Sequence, residues 1–121
     1  MKITKEFTFE SAHTLPWHQG KCKNLHGHSY KLFVTIEGKL NENGIVIDFS
    51  DLKKIVNENI VDLMDHKNLN DIFENPTCEN MVQDFLGRLK NKITGVRSIT
   101  VRLYETATSY AEDTIKFYET I

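Results

Sequence analysis

Cys22, His26 and His28 stand within seven residues, Cys22-Lys23-Asn24-Leu25-His26-Gly27-His28, and a thiol beside two imidazoles is a metal-binding vocabulary. Imidazoles two residues apart project to the same side of an extended strand, and Gly27 between them adds no side chain to crowd an ion. A third histidine, His13, closes a segment that should pair with the strand beginning at His26. Three neutral imidazoles suit Zn²⁺ and leave a fourth tetrahedral position for water or substrate. Cys22 has two readings. It could complete a Cys-His-His set that a further group closes into a structural zinc site. Alternatively, with His13 as third ligand, the thiol is left free, and a nearby cation would favour its thiolate as a base.

Two further groups are candidates for chemistry. Asp65-His66 is a carboxylate beside an imidazole, although consecutive side chains usually diverge, and His66-Lys67 also suits the negative end of a helix. Glu105 falls on the inward phase of a strand, where an unpaired carboxylate is costly, so it calls for a cationic or N–H-rich partner. Arg102 is one possibility, but it lies on the opposite phase of the same strand. A ligand with a guanidine-like edge is another, since it would engage both oxygens. Cys78, at the start of a helix, reads as a small buried residue.

The elements that must position these groups follow from periodicity. Ile3, Phe7, Phe9, Ser11 and His13 share one face of a strand over residues 2–13. Residues 14–25 form a loop with Pro16 and Gly20. A second strand runs from His26 to Gly38, with His28, Tyr30, Leu32, Val34 and Ile36 in phase. An antiparallel pairing of the two sets His13 beside His26 and His28, with the Cys22 loop above. Asp48 or Ser50 caps a helix whose stripe is Phe49, Leu52, Ile55, Val56, Ile60 and Leu63. Asn68 to Pro76 reads as a polar connection. Thr77 opens a second helix along Met81, Val82, Phe85, Leu86 and Leu89, closing near Thr94-Gly95. A third strand holds Ile99, Val101, Leu103 and Glu105, and a fourth, marked by Ile115 and Phe117, follows a loop at 106–113. The order is ββααββ, an α+β arrangement.

At 121 residues and 40% hydrophobic content, the chain fits one domain spanning 1–121, with a modest core that oligomerisation would enlarge. The net charge of −2 is spread along the chain, which argues against a nucleic-acid partner or a membrane-binding stripe. No stretch approaches the roughly 18 apolar residues of a membrane span, and the N-terminus lacks the apolar core of a secretory signal. Two cysteines do not make a disulfide scaffold, so a cytoplasmic location with free thiols is expected.

Phe7-Thr8-Phe9-Glu10-Ser11-Ala12-His13, the Cys22 to His28 heptad, Leu63-Met64-Asp65-His66-Lys67-Asn68-Leu69-Asn70, Asn75-Pro76-Thr77-Cys78-Glu79-Asn80 and Tyr104-Glu105-Thr106 together resemble the 6-pyruvoyl-tetrahydropterin synthase family. The blocks occur in family order and span nearly the whole chain. The four-residue step from Cys22 to His26 and the segment from Glu105 to Ala111 look most like its queuosine-pathway branch, which forms a 6-carboxy-tetrahydropterin.

The resemblance implies a tunnelling fold, a four-stranded antiparallel sheet with two helices on one side, assembled as a homohexamer of two stacked trimers with active sites between subunits. It implies zinc held by His13, His26 and His28, Cys22 as the proton-abstracting base, Asp65 and His66 in proton transfer, and Glu105 as the anchor of the pterin ring. The reaction implied is a lyase cleavage of 7,8-dihydroneopterin triphosphate to 6-carboxy-5,6,7,8-tetrahydropterin, acetaldehyde and triphosphate. Alternatives are the pyruvoyl-forming elimination of triphosphate, or a non-catalytic zinc-stabilised binding module with Cys22 as ligand. A folate-pathway relative would place a glutamate near the histidine pair, and Lys23, Asn24 and Leu25 contain none. Cys78 departs from the small Ser or Ala usual at its position. Lys21 and Lys23 are phosphate-binding candidates of low weight, and His18 reads as an exposed loop residue.

Overall fold

In a computed structural model that describes residues 1–118, two long strands form the spine of the molecule: β1 (Lys2–His13) and β2 (His26–Glu37). They pair antiparallel along their whole length, Lys2 opposite Glu37 at one end and His13 opposite His26 at the other. Alternation sets this register. Phe7, Phe9, Tyr30, Leu32, Val34 and Ile36 all fall on one buried face, and a slip of one residue would turn them to solvent. β4 (Ser98–Thr106) adds to β2 and β5 (Ser109–Lys116) adds to β4, both antiparallel.

Among the described residues the sheet has five strands, not four, in the order β3-β1-β2-β4-β5. The extra one, β3 (Lys67–Asn68), is two residues long and pairs in parallel with Ser11 and Ala12. It was hidden in a polar segment because its contribution is backbone hydrogen bonding, which leaves no hydrophobic period. The expected loop at 106–113 is also revised. β5 begins at Ser109 and a short turn joins it to β4, with most of β5 exposed and therefore unmarked by buried alternation.

Two helical rods cover one face of the sheet. In the first, Asp48 caps α1 (Phe49–Val56) by accepting the Ser50 N–H at 2.7 Å. The rod then widens into a π-helical turn (Asn57–Val61) before the short α2 (Asp62–Met64). Its buried residues are Leu52, Val56, Ile60 and Met64, all fully covered and four apart. A four-residue repeat drifts around an ordinary α-helix of 3.6 residues per turn, and an underwound π turn cancels the drift. Leu63, expected on the stripe, is consequently 46% exposed while Met64 takes the inward place. The widened ladder is patched by side chains: Asn59 Nδ2 donates to the Ile55 carbonyl at 2.8 Å.

The second rod, α3 (Cys78–Leu89), is capped by Thr77, whose hydroxyl accepts the Asn80 N–H at 3.1 Å. It ends at Leu89, before the expected Thr94-Gly95, and a turn carrying Gly95 at φ 74° leads to β4. Met81, Val82, Phe85, Leu86 and Leu89 pack onto the sheet as one contiguous core with Ile99, Val101 and Leu103. The opposite sheet face carries hydroxyl and charged pairs such as Thr4 with Thr35 and Arg102 with Glu112. Among the described residues, no helix is long and apolar enough to cross a membrane.

Candidate active site

At the end of the β1/β2 ladder the buried face changes from aromatic to imidazole. Phe9 and Tyr30 stack with centroids 4.9 Å apart, and the ring of His28 lies 5.7 Å beyond Tyr30. Cross-strand pairing sets His13 directly opposite His26, and His28 follows two residues along the same face. One ligand atom each from His13, His26, His28 and Glu105 lies within 4.8 Å of all the others. Cys22 is outside this group, on the short turn Lys21–Lys23, and is a half-buried free thiol.

The proton positions on two of the rings follow from their partners. His13 Nδ1–H donates to the Pro76 carbonyl at 3.0 Å, and His26 Nδ1–H donates to the Asn24 carbonyl at 2.7 Å. A carbonyl only accepts, so both rings carry hydrogen on Nδ1 and in the neutral form present a lone pair at Nε2. Those two Nε2 atoms are 3.0 Å apart. His28 Nε2 is also buried and lacks a hydrogen bond, since Glu105 Oε1, although 3.1 Å away, is off the hydrogen-bonding direction. Converging lone pairs require a positive centre, a proton or a metal ion. Three imidazoles and a carboxylate are the donor set of a divalent transition ion, so the residues fit such a group.

Glu105 arrives from β4 through an irregularity. The β4/β5 register shifts between Tyr104 and Thr106, leaving Glu105 outside the paired ladder. Its Oε1 lies 3.3 Å from His13 Nε2, and the side chain is 25% exposed. A proton on His13 Nε2, directed at this oxygen, holds the carboxyl below the usual carboxylate range against the opposing effect of burial. Burial, in turn, lowers the pKa of His28, partly offset by the neighbouring Glu105 charge. Arg102 is not its partner. That guanidinium bonds Glu112 at 2.7 Å and covers the Tyr110 ring at 4.3 Å.

Two concavities each take part of their wall from the cluster. One of about 550 Å³ is bordered by Glu10, His28, Ser29 and His66, and another of about 410 Å³ by Cys78, Glu105 and Tyr110. Asp65 and His66, consecutive residues whose side chains would ordinarily diverge, are paired at 3.0 Å between Oδ2 and Nδ1. The backbone makes this possible. His66 adopts φ 58°, in the left-handed region, where its N–H donates to the Glu10 carbonyl at 2.6 Å. Asp65 Oδ1 accepts the Glu10 N–H at 2.9 Å, a bond that is the main cause of its lowered pKa. His66 remains 80% exposed.

Cys78 is buried, donates its thiol to the Leu103 carbonyl at 3.1 Å, and is pushed up to about 11 by that burial. Lys21 and Lys23 are exposed, whereas His18 is half-buried and its Nδ1 accepts the Gly20 N–H. Sequence reasoning missed the meeting of Glu105 with the imidazoles, because a bulge leaves no periodic trace. It also missed the amides of Asn70 and Asn75, which bond Thr14 and Trp17 across the loop. The concentration of asparagine at 68–80 was the available signal, since amides can pair with backbone.

This sheet, its covering helices and the imidazole-bearing strand ends have the architecture of the tunnelling-fold pterin synthases. The solved 6-pyruvoyl tetrahydropterin synthase of Caenorhabditis elegans matches with a TM-score of 0.78 at 26% identity, covering 98% of this chain and 96% of that one. The chain belongs to the 6-pyruvoyl tetrahydropterin synthase family, whose sequence pattern matches residues 2–114. Curated relatives named 6-carboxy-5,6,7,8-tetrahydropterin synthase include those of Haemophilus influenzae and Synechocystis sp.. That of Haemophilus influenzae is 41% identical over 138 aligned positions, covering 92% of this chain and 96% of the relative. That of Synechocystis sp. is 39% identical over 117, covering 90% and 89%.

Proposed function

We propose that the chain is a zinc-dependent carbon–carbon lyase, a 6-carboxy-5,6,7,8-tetrahydropterin synthase. It takes 7,8-dihydroneopterin triphosphate and water to 6-carboxy-5,6,7,8-tetrahydropterin, acetaldehyde and triphosphate, for queuosine and related 7-deazapurine synthesis in the cytoplasm. The carrying observation is the convergence of three Nε2 atoms, two with carbonyl-fixed protons, in a chain whose relatives bear that name.

His13, His26 and His28 would hold the ion. Bound there, zinc would supply Lewis acidity to the substrate's side-chain hydroxyls and to the carbonyl formed from them. Cys22 is the base, a role favoured by its lying outside the group of donor atoms that converge at the strand ends. Asp65 accepts His66 Nδ1–H, which leaves His66 Nε2 available to receive and return a proton. Glu105, ionised and partly exposed, receives paired N–H groups of the pterin ring.

Residues 1–121 act as one synthase domain within a homohexamer. Support comes from the sheet face left uncovered by helices and from the exposed His66, which is open to a site completed by a neighbouring subunit. Incubating the zinc-loaded protein with dihydroneopterin triphosphate tests the activity. Acetaldehyde and a 6-carboxy pterin are expected, and a 6-pyruvoyl pterin without acetaldehyde would overturn the proposal.

A further inference from the structure

Asn70 is where three parts of the site meet. β3 pairs Lys67 and Asn68 with Ser11 and Ala12, then breaks into the 3₁₀ turn Leu69–Asp71, so the parallel ladder stops two residues short of Thr14. The Asn70 side chain continues it. Its Oδ1 accepts the Thr14 N–H at 2.8 Å, and its Nδ2 donates to the Thr14 carbonyl at 2.9 Å, so one amide side chain substitutes for a peptide unit. Asn68 holds the turn by accepting the Asn70 N–H at 3.1 Å.

From Thr14 the bonds run on to the thiol. Thr14 Oγ1 donates to the Lys23 carbonyl at 2.5 Å, and the Leu15 N–H donates to the Cys22 carbonyl at 2.8 Å. The turn Lys21–Lys23 buries none of its residues, and no side chain caps its start. With Cys22 only half-buried, the hydrogen bonds from Thr14 and Leu15 are what tie its turn to β1. His13 is the residue before Thr14, and Asp65-His66 lead directly into β3.

We propose that Asn70 is a positioning residue, which sets Cys22 relative to the imidazole cluster by clamping the Thr14 peptide. The inference rests on the functional reading above, in which Cys22 is the base. It predicts a defect in turnover rather than in metal or substrate binding, because the bonds from Asn70 run through Thr14 to the Cys22 turn, whereas the His13 ring is held separately by the Pro76 carbonyl.

The test compares Asn70→Ala, Thr14→Val and the double variant with the parent, each as the zinc-loaded full chain. Three quantities are read: zinc per chain, kcat and KM for acetaldehyde release, and the rate at which iodoacetamide alkylates Cys22 without substrate, followed by peptide mass spectrometry. Asn70→Ala should keep the parent's zinc content and a KM within about threefold, while kcat falls about a hundredfold, the scale of a misplaced reacting group. Cys22, half-buried in the parent, should be alkylated at least about threefold faster once its turn is released. Thr14→Val should move the same readouts in the same direction. The double variant should be no worse than the stronger single, because both substitutions cut one series of bonds.

An unchanged alkylation rate, additive losses, or zinc loss in Asn70→Ala would each overturn the proposal. If Asn70→Ala does not fold, Thr14→Val decides: parent-like kcat and alkylation would reject the clamp. A parent that releases no acetaldehyde would sink the functional reading alone, since the alkylation comparison uses no substrate.

Discussion

Glu105→Gln separates two duties that meet in one carboxylate. Its Oε1 lies 3.3 and 3.1 Å from the Nε2 atoms of His13 and His28. An ion held by the imidazoles would occupy their Nε2 lone pairs, freeing the carboxylate to accept two N–H groups from a ligand ring. Glutamine is nearly isosteric, so the bulge and the cavity should survive. What changes is one acceptor oxygen, replaced by an NH₂ that opposes a ligand N–H, and the charge on the other. A hydrogen bond to a charged group contributes about 1.5–3 kcal/mol and an unsatisfied buried donor costs about 1–3 kcal/mol, so a combined loss of about 3 kcal/mol is a conservative value. That corresponds to roughly 150-fold in kcat/KM. Acetaldehyde release measures this loss, and competition with a chromophoric chelator measures zinc affinity, which should change by no more than about tenfold, the lower end for a residue beside the ligands. A variant that loses zinc a hundredfold and retains parent kcat/KM at saturating zinc would refute the reasoning and make Glu105 a ligand.

Cys22→Ala should keep the parent's zinc content and lose about 10²–10⁴-fold in turnover, whereas loss of metal on dialysis would identify the thiol as a ligand. His66→Asn retains a side chain that tolerates the left-handed φ of 58°, so thermal unfolding should remain parent-like while turnover falls by at least about a hundredfold. Stripping zinc should lower the unfolding free energy by about 2.7 kcal/mol relative to protein held at a hundred times the dissociation constant, and His13→Ala should abolish that difference in a denaturation series. The Asp48 pKa is lowered chiefly by its bond to the Ser50 hydroxyl. Its stabilisation is therefore present above the ordinary value of 3.8 and lost as pH falls through the lower folded value. Asp48→Asn, which keeps an acceptor, should show a shallower loss of helicity by circular dichroism as pH falls below 3.8.

The imidazole cluster was legible in the sequence because every step to it is periodic. Alternation assigns His13 to the face of Phe7 and Phe9, and His28 to the face of Tyr30 and Leu32. Antiparallel order then leaves one way to bring those faces together, with His13 opposite His26. The same reasoning placed Cys78 in the core and directed Glu105 inward. It could not identify what Glu105 meets, because Arg102 was available in sequence and only the three-dimensional register commits that guanidinium to Glu112.

What stayed hidden shares one physical character. The Glu105 bulge, the left-handed His66, the parallel β3 and the π turn before α2 are all departures from a regular period. A regular strand or helix sets side chains only at fixed angular steps. Turning Asp65 and His66 toward each other, or adding Glu105 to imidazoles carried by two other strands, needs an interruption of those steps. Backbone groups hold much of the resulting geometry: Glu10 bonds both members of the Asp65-His66 pair, and Pro76 fixes His13. Since every residue type carries those groups, residue identity does not reveal where they act. Asn70 is the partial exception, a side chain that imitates the backbone, and a sequence search for such sites should weigh asparagines that follow a short, unpatterned segment beside a candidate acid or base.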